Sequence, residues 1–297
     1  MSYLFKVFLP KNALLIGTIL ISVSIPAVFA QQMKWSQFDT PSLGKVAAIG
    51  SYANGCLAGA KALPLIGEGY QVIRTERHRY YGHPQLVAFI TNFAKQTQAA
   101  GMNDILIGDI SMARGGNFES GHSSHQVGLD ADIWFRQAEQ TLTRDARENP
   151  QKLDLVDKSA FIVNQDWQAH HGTMIRLAAE SSEVARIFVN PAIKQQLCNM
   201  DWKDDSWLTK VRPWWGHSLH MHVRLACPEN DALCQNQKAP PTGTGCDELD
   251  WWRKQILASN EASKQPKYKS KSKQKSKPKS KTVKVKPEQC QTLYQAE

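Results

Sequence analysis

Two stretches far apart in the chain alternate apolar and polar residues with a period of two, and their polar faces carry the same kinds of side chain. In residues 127–135, VGLDADIWF, Val127, Leu129, Ala131 and Ile133 fall on one side and Asp130, Asp132 and Trp134 on the other. In residues 217–226, HSLHMHVRLA, Met221, Val223 and Leu225 share one side and His220 and His222 the other. Period two describes a strand with one face on a core, so the two imidazoles, two residues apart, project together. The run that leads into the first strand, GHSSHQVGLDADIW, adds His122 and His125, and five of the nine histidines fall in these two short segments. The first stretch alone reads equally as a polar loop entering an ordinary strand. With the second, it reads as a metal site, because catalytic zinc takes three nitrogen or oxygen ligands and leaves a fourth position open.

The rest of the body supplies the elements such a site needs. Residues 32–69, with scattered Gly, Pro and Ser, read as loop. Tyr70–Arg74 reads as a strand, and His83-Pro84 opens a helix whose Leu86, Phe89, Ile90 and Phe93 share a face before Gly101 ends it. A buried strand is expected over Asp104–Ile110 and a turn at 113–116. Helices are expected over 166–181, from Pro191 to Met200 and from Asp247 to Ala258, with a short strand at Arg186–Val189. Strands with helices interspersed irregularly predict an α+β fold: a central antiparallel sheet flanked by helices, with the zinc site on the sheet's polar face.

Compartment and charge narrow the partners. Lys6 and Lys11 precede an uncharged apolar run at 13–29, and Val28-Phe29-Ala30 offers a cleavage site, so residues 1–30 read as a cleaved secretory signal and the mature protein as having no stable membrane insertion. The six cysteines, Cys56, Cys198, Cys227, Cys234, Cys246 and Cys290, contain no C-x-x-C pair, which favours disulfides over thiolate zinc and leaves 15 pairings open. The net charge of +9 is concentrated: residues 264–286 hold 11 lysines and no acid, so without them the chain stands at −2, and at −4 without Lys6 and Lys11 as well. The body is mildly acidic and is not a nucleic-acid binder. Residues 31–260 are expected to form the enzyme domain, 261–287 a disordered lysine-rich linker, and 288–297 a segment tethered through Cys290.

Other chemistries lack their motifs. H-E-x-x-H is absent, no G-x-S-x-G surrounds Ser123 or Ser124, and Gly115-Gly116 has no following lysine. What is present, His125 and Asp132 in an H-x(6)-D spacing and His220-Met221-His222 far downstream, is similar to the signature of the lysostaphin, D-Ala-D-Ala metallopeptidase and hedgehog group. The stretches GSYANGCLAGA, YQVIRTERHRYYGHPQLV, LIGDISMARGG, GHSSHQVGLDADI, RIFVNPAIKQQLC and KVRPWWGHSLHMHVRLACP extend the likeness over roughly residues 45–250 and resemble the penicillin-insensitive murein endopeptidases.

That resemblance implies a periplasmic zinc enzyme that cuts D-alanyl–meso-diaminopimelyl cross-links in peptidoglycan. It implies His125, Asp132 and His222 as metal ligands, with His122 close to the metal, and His220 and His217 as the residues that handle protons. It also implies the disulfides Cys56–Cys290, Cys198–Cys246 and Cys227–Cys234. A second metal held by D-x-x-H is not expected, since Asp157 is followed three places on by Ala160; His170 and His171 read as surface or packing residues. Asp130 is either an orienting carboxylate or a surface one, and Trp214 and Trp215 either wall the cleft or pack in the core. Two other readings use the same residues: a non-catalytic cell-wall binding module with structural zinc, or a D-Ala-D-Ala carboxypeptidase or dipeptidase. A polyanion binder acting through the lysine tail is a third, and the acidic body makes that a minor role.

Overall fold

The computed structural model describes residues 34–264 and 284–296; the expected leader and most of the lysine-rich linker lie outside them. In chain order the elements are β1 (Ala47–Ser51), β2 (Asn54–Ala58), β3 (Lys61–Ala62), β4 (Ile66–Gly67), β5 (Tyr70–Val72), β6 (Tyr81–Gly82), α1 (Pro84–Ala99), β7 (Asp104–Ile107) and β8 (Asp130–Ala138). Then come α2 (Arg144–Glu148), β9 (Val156–Asp157), β10 (Ile162–Val163), α3 (Ala169–Glu180), β11 (Val184–Val189), α4 (Pro191–Asn199), β12 (Val211–Pro213), β13 (His220–Leu225), β14 (Cys234–Gln235), α5 (Leu249–Lys264) and α6 (Glu288–Gln295).

Seven strands form the main sheet in the order β12-β11-β13-β8-β7-β5-β4. The four central strands, β11, β13, β8 and β7, run antiparallel to one another, whereas β12 joins β11 and β5 joins β7 in parallel. One face is apolar throughout. Val127, Leu129, Ala131 and Ile133 are fully buried there with Met221, Val223 and Leu225, and α1, α3 and α4 contribute Leu86, Phe93, Met174, Ile175, Ile193 and Leu197 to the same core. The helix starts follow simple chemistry: Pro84 and Pro191 stand at the first helical position, where a missing N–H costs nothing, and the side chains of His83 and Asn190 accept from the backbone N–H groups of Gln85 and Ala192. Gly101, at φ 81°, takes the left-handed conformation that stops α1.

Several boundaries differ from the sequence reading. Residues 32–69 are not all loop: β1 and β2 form an antiparallel hairpin turning at Tyr52-Ala53, with Gly50 opposite Gly55. Small residues pack this hairpin closely, so it lacks the bulky alternation that announces a strand. The strand beginning at Asp104 ends at Ile107, beyond which Asp132 of β8 accepts from the Gly108 N–H at 2.8 Å and donates to the Asp109 carbonyl at 3.0 Å, so two residues face one and the regular ladder stops. The helix expected to end at Ala258 continues to Lys264. Three disulfides join Cys56 to Cys290, Cys198 to Cys246 and Cys227 to Cys234. The first brings α6 back onto β2, where Tyr294 packs edge-on against Trp35 and Phe38. Among the described residues no helix is long and apolar enough to cross a membrane.

Candidate metal centre

The polar face of the sheet is organised by one strand register. β8 and β13 pair so that His222 lies directly opposite Asp132, Arg224 opposite Asp130 and His220 opposite Trp134. Cross-strand partners have their Cβ atoms roughly 5 Å apart, so residues separated by some ninety positions meet through backbone pairing alone. A slip of one residue would turn all of them to the core face.

His122, His125, Asp132 and His222 each offer a donor atom, and these atoms lie within 4.8 Å of one another. His125 Nε2 is 3.5 Å and His222 Nδ1 3.3 Å from Asp132 Oδ1, while His122 Nε2 is 3.1 Å from Asp132 Oδ2. His125, Asp132 and His222 are buried; His122 is half-buried at the mouth. His220 stands at the edge of the group, its Nε2 3.6 Å from Asp132 Oδ1. His217 lines the same cleft, of about 350 Å³, together with His122, His222, Phe188 and Trp214.

The ring orientations are fixed from behind. His125 Nδ1 is 2.8 Å from the Ile110 carbonyl, so it carries the proton and donates, leaving the Nε2 lone pair free. His125 itself sits at φ 69°, held there by a bond from its backbone N–H to Asp130 Oδ2. Asp130 is fully buried; it accepts from Arg224 Nε at 2.7 Å and Nη2 at 3.1 Å, and its Oδ1 faces His222 Nε2 at 3.0 Å. That contact leaves Nδ1 as the atom of His222 turned to the centre. A carboxylate behind a ligating imidazole is a recurrent arrangement at metal sites, and it sets both tautomer and basicity.

The electrostatics describe a site short of positive charge at its middle. His125 Nε2, Asp132 Oδ1 and His220 Nε2 are buried with no hydrogen-bond partner, and such groups are costly unless something satisfies them. Burial acts to raise the Asp132 carboxyl, but His220 and His125 outweigh it and hold it well below the carboxylate range. Burial likewise opposes ionisation of Asp130, and Arg224 and His222 overcome it. Burial lowers His220 and His122, and it pushes His217 to about 3 with the help of the His220 and His222 rings. His222 goes the other way: burial acts to lower it, yet Asp130 and Asp132 hold it up at about 9. An ionised carboxylate ringed by imidazoles, with buried nitrogen and oxygen atoms left unsatisfied, fits a divalent cation that accepts mixed nitrogen and oxygen donors.

Residues 48–295 match the family model described as penicillin-insensitive murein endopeptidase. The chain belongs to this family. A penicillin-insensitive murein endopeptidase of Haemophilus influenzae is 46% identical over 248 residues, which cover 81% of this chain and 87% of its own length. One from Klebsiella pneumoniae (strain 342) is 49% identical over 220 residues, 73% of this chain and 80% of its own, and one from Pectobacterium atrosepticum is 44% identical over 255 residues, 85% and 89% respectively.

The cleft of this family member also holds residues that sequence reasoning did not assign. Asp109 anchors the Arg77 and Arg79 guanidinium groups, at 3.3 and 2.9 Å, and lies 4.0 Å from His122 Nε2. Nothing local in DISMARGG marks that role. Arg224 was within reach, since it follows His220 and His222 at the same spacing of two and therefore shares their face. Of the two readings left open for Asp130, burial excludes the surface one. Trp214 and Trp215 are both half exposed, so neither packs in the core. Asp157 ends β9, its Oδ1 accepting from the Ser159 hydroxyl and N–H in the turn that follows. His171 is buried against Trp167 and Phe135, and its Nδ1 accepts from the Gln168 N–H at the start of α3.

Proposed function

We propose that this chain is a periplasmic, zinc-dependent murein endopeptidase that hydrolyses D-alanyl–meso-diaminopimelyl cross-links in peptidoglycan. The observation that carries this reading is the convergence of four donors, three of them buried, on one point of a sheet face, in a chain that belongs to the murein endopeptidase family. His125 through Nε2, Asp132 through Oδ1 and His222 through Nδ1 would hold the ion, with His122 as a weaker fourth contributor at the mouth. Zinc supplies Lewis acidity there, polarising a scissile carbonyl and acidifying water near neutral pH.

The remaining chemistry falls to the chain's own side chains. Burial keeps His220 neutral, so its free Nε2 starts as a base, takes a proton from the attacking water and returns it to the departing amine. His217 Nδ1 donates to the Trp215 carbonyl at 2.7 Å, which leaves Nε2 as an acceptor and makes His217 the second proton-handling group. Asp130 and Arg224 keep His222 in its orientation. No acyl-enzyme is required, so β-lactams should leave the activity untouched. The disulfides and the apolar leader support an exported protein, with residues 261–287 as a tether between the body and the disulfide-held C-terminus.

The test is digestion of purified cross-linked muropeptide dimers, with and without chelator, read by mass spectrometry. The reading requires two monomers whose summed mass exceeds that of the dimer by one water, and no product in chelator. Intact dimers in the presence of zinc would sink it, and so would release of the terminal D-alanine alone, which is the carboxypeptidase outcome.

A further inference from the structure

Three tryptophans of one cluster stand half in solvent, the first of them in the wall of the cleft: Trp214 is 51%, Trp215 47% and Trp251 55% exposed. A fourth, Trp252, is buried among them, its ring centroid 6.3 Å from that of Trp214, 5.2 Å from Trp215 and 5.1 Å from Trp251. The cluster continues the wall of the metal centre. Trp214 lines the same cleft as His217 and His222, and Phe188 lies between, 5.8 Å from the Trp214 ring and 5.4 Å from that of His222.

The ledge is braced on both sides. Trp214 and Trp215 directly follow β12, and Trp251 and Trp252 lie in the first turn of α5. The Cys198–Cys246 disulfide ties the approach to α5 to α4, Arg253 Nη2 donates to Gln195 of α4 at 2.5 Å, and Glu248 pairs with Arg212 of β12. Clustered exposed aromatic surface held this firmly marks an interaction site rather than loose packing.

We propose that this ledge stacks against sugar rings of the murein glycan strand and so seats the attached peptide cross-link over the metal centre. The proposal rests on the murein reading given above. Within murein, the stem peptides carry small, aliphatic or charged groups, and none matches a row of flat indoles. An N-acetylhexosamine ring presents a face of C–H groups about the size of an indole, with polar groups at its edge that remain hydrated. Indoles provide such an amphipathic platform at little cost in side-chain freedom. The exposed carboxylates of Asp247 and Asp250 beside the ledge disfavour an anionic lipid surface.

Peptide-free glycan strands, prepared from murein with an amidase, are titrated into the purified protein and followed by tryptophan fluorescence. Saturable binding is expected, weakened about tenfold or more in Trp215→Ala and in Trp251→Ala and partly recovered in Trp251→Phe. Circular dichroism and metal content verify that the variants fold. The ratio of cleavage rates on intact murein to those on glycan-free cross-linked peptides should fall by a similar factor. A parent protein that ignores the strands, variants that bind them as the parent does, or a preference for anionic vesicles over strands would each overturn the proposal. The two readings separate cleanly. Cleavage of free dimers without strand binding removes the ledge and keeps the endopeptidase. Strand binding without cleavage of dimers does the reverse.

Discussion

The raised imidazole of His222 would make binding of the proposed zinc a competition with a proton. In the metal-free protein, burial acts to lower this group, but Asp130 and Asp132 hold it at about 9, so it is charged at neutral pH and its proton must leave before Nδ1 can bind an ion. Asp132 is already ionised, and His122, His217 and His220 are shifted downward, so these groups add no release of their own above pH 7. With one proton displaced, the apparent zinc dissociation constant rises about tenfold per pH unit below 9, or roughly 100-fold (about 2.7 kcal/mol) between pH 8 and pH 6. The linked effect on folding has the opposite sign. A group raised from 6.5 to about 9 contributes about 3 kcal/mol to the stability of the metal-free protein, present below pH 6.5 and lost as pH rises through 9. The gap in melting temperature between zinc-loaded and metal-free protein should therefore widen from pH 6.5 to 9. Calorimetric titration at pH 7 in two buffers of different ionisation enthalpy should count about one proton released per zinc. Asp130→Asn, which keeps an acceptor for Arg224 but not the charge, should flatten the dependence. Affinity that is level from pH 6 to 8, or zinc uptake without proton release, would refute the argument.

Other substitutions separate holding the ion from using it. Asp132→Ala or His222→Ala should lose both zinc, measured by elemental analysis, and cross-link cleavage. His220→Ala should retain zinc while the rate on muropeptide dimers falls about 10²–10⁴-fold; full activity would remove His220 from the mechanism. Asp130→Ala should weaken zinc binding about 10–100-fold and cost about 3–5 kcal/mol in urea unfolding, because Arg224 is left buried and unpaired. Replacing Cys56 and Cys290 together by alanine opens a link with sequence separation 234, worth about 5 kcal/mol by loop entropy. The Cys227–Cys234 link, with separation 7, is worth about 2.5 kcal/mol on the same basis, so the first pair of substitutions should lower the urea midpoint further.

Period-two alternation placed His220 and His222 on one face and Asp132 on another strand's polar face, because alternation is a local property that survives whatever the rest of the chain does. It could not pair the two strands. Which residue faces which depends on a register chosen by the core side, where Ala131 lies opposite Val223 and Ile133 opposite Met221. The apolar residues that bury this face thus fix His222 against Asp132 without touching either. The loop histidines show the limit more sharply. His122 and His125 have no period to read; their positions follow from a left-handed residue at 125, an Asp130 carboxylate that accepts the 125 N–H, and the Ile110 carbonyl arriving from the end of β7. Asp130 therefore serves three partners at once, the His125 backbone, His222 and Arg224. A buried carboxylate so engaged costs more to remove than any single ligand, and its loss should loosen the strand pairing and the loop together. By the same logic the short β1–β2 hairpin escaped notice. Its strands, AAIGS and NGCLA, are mostly small residues, and what holds them is the disulfide from Cys56 to α6 and the close backbone approach of Gly55 to Ile49. The disulfide in particular joins residues 234 positions apart, so no local pattern announces it.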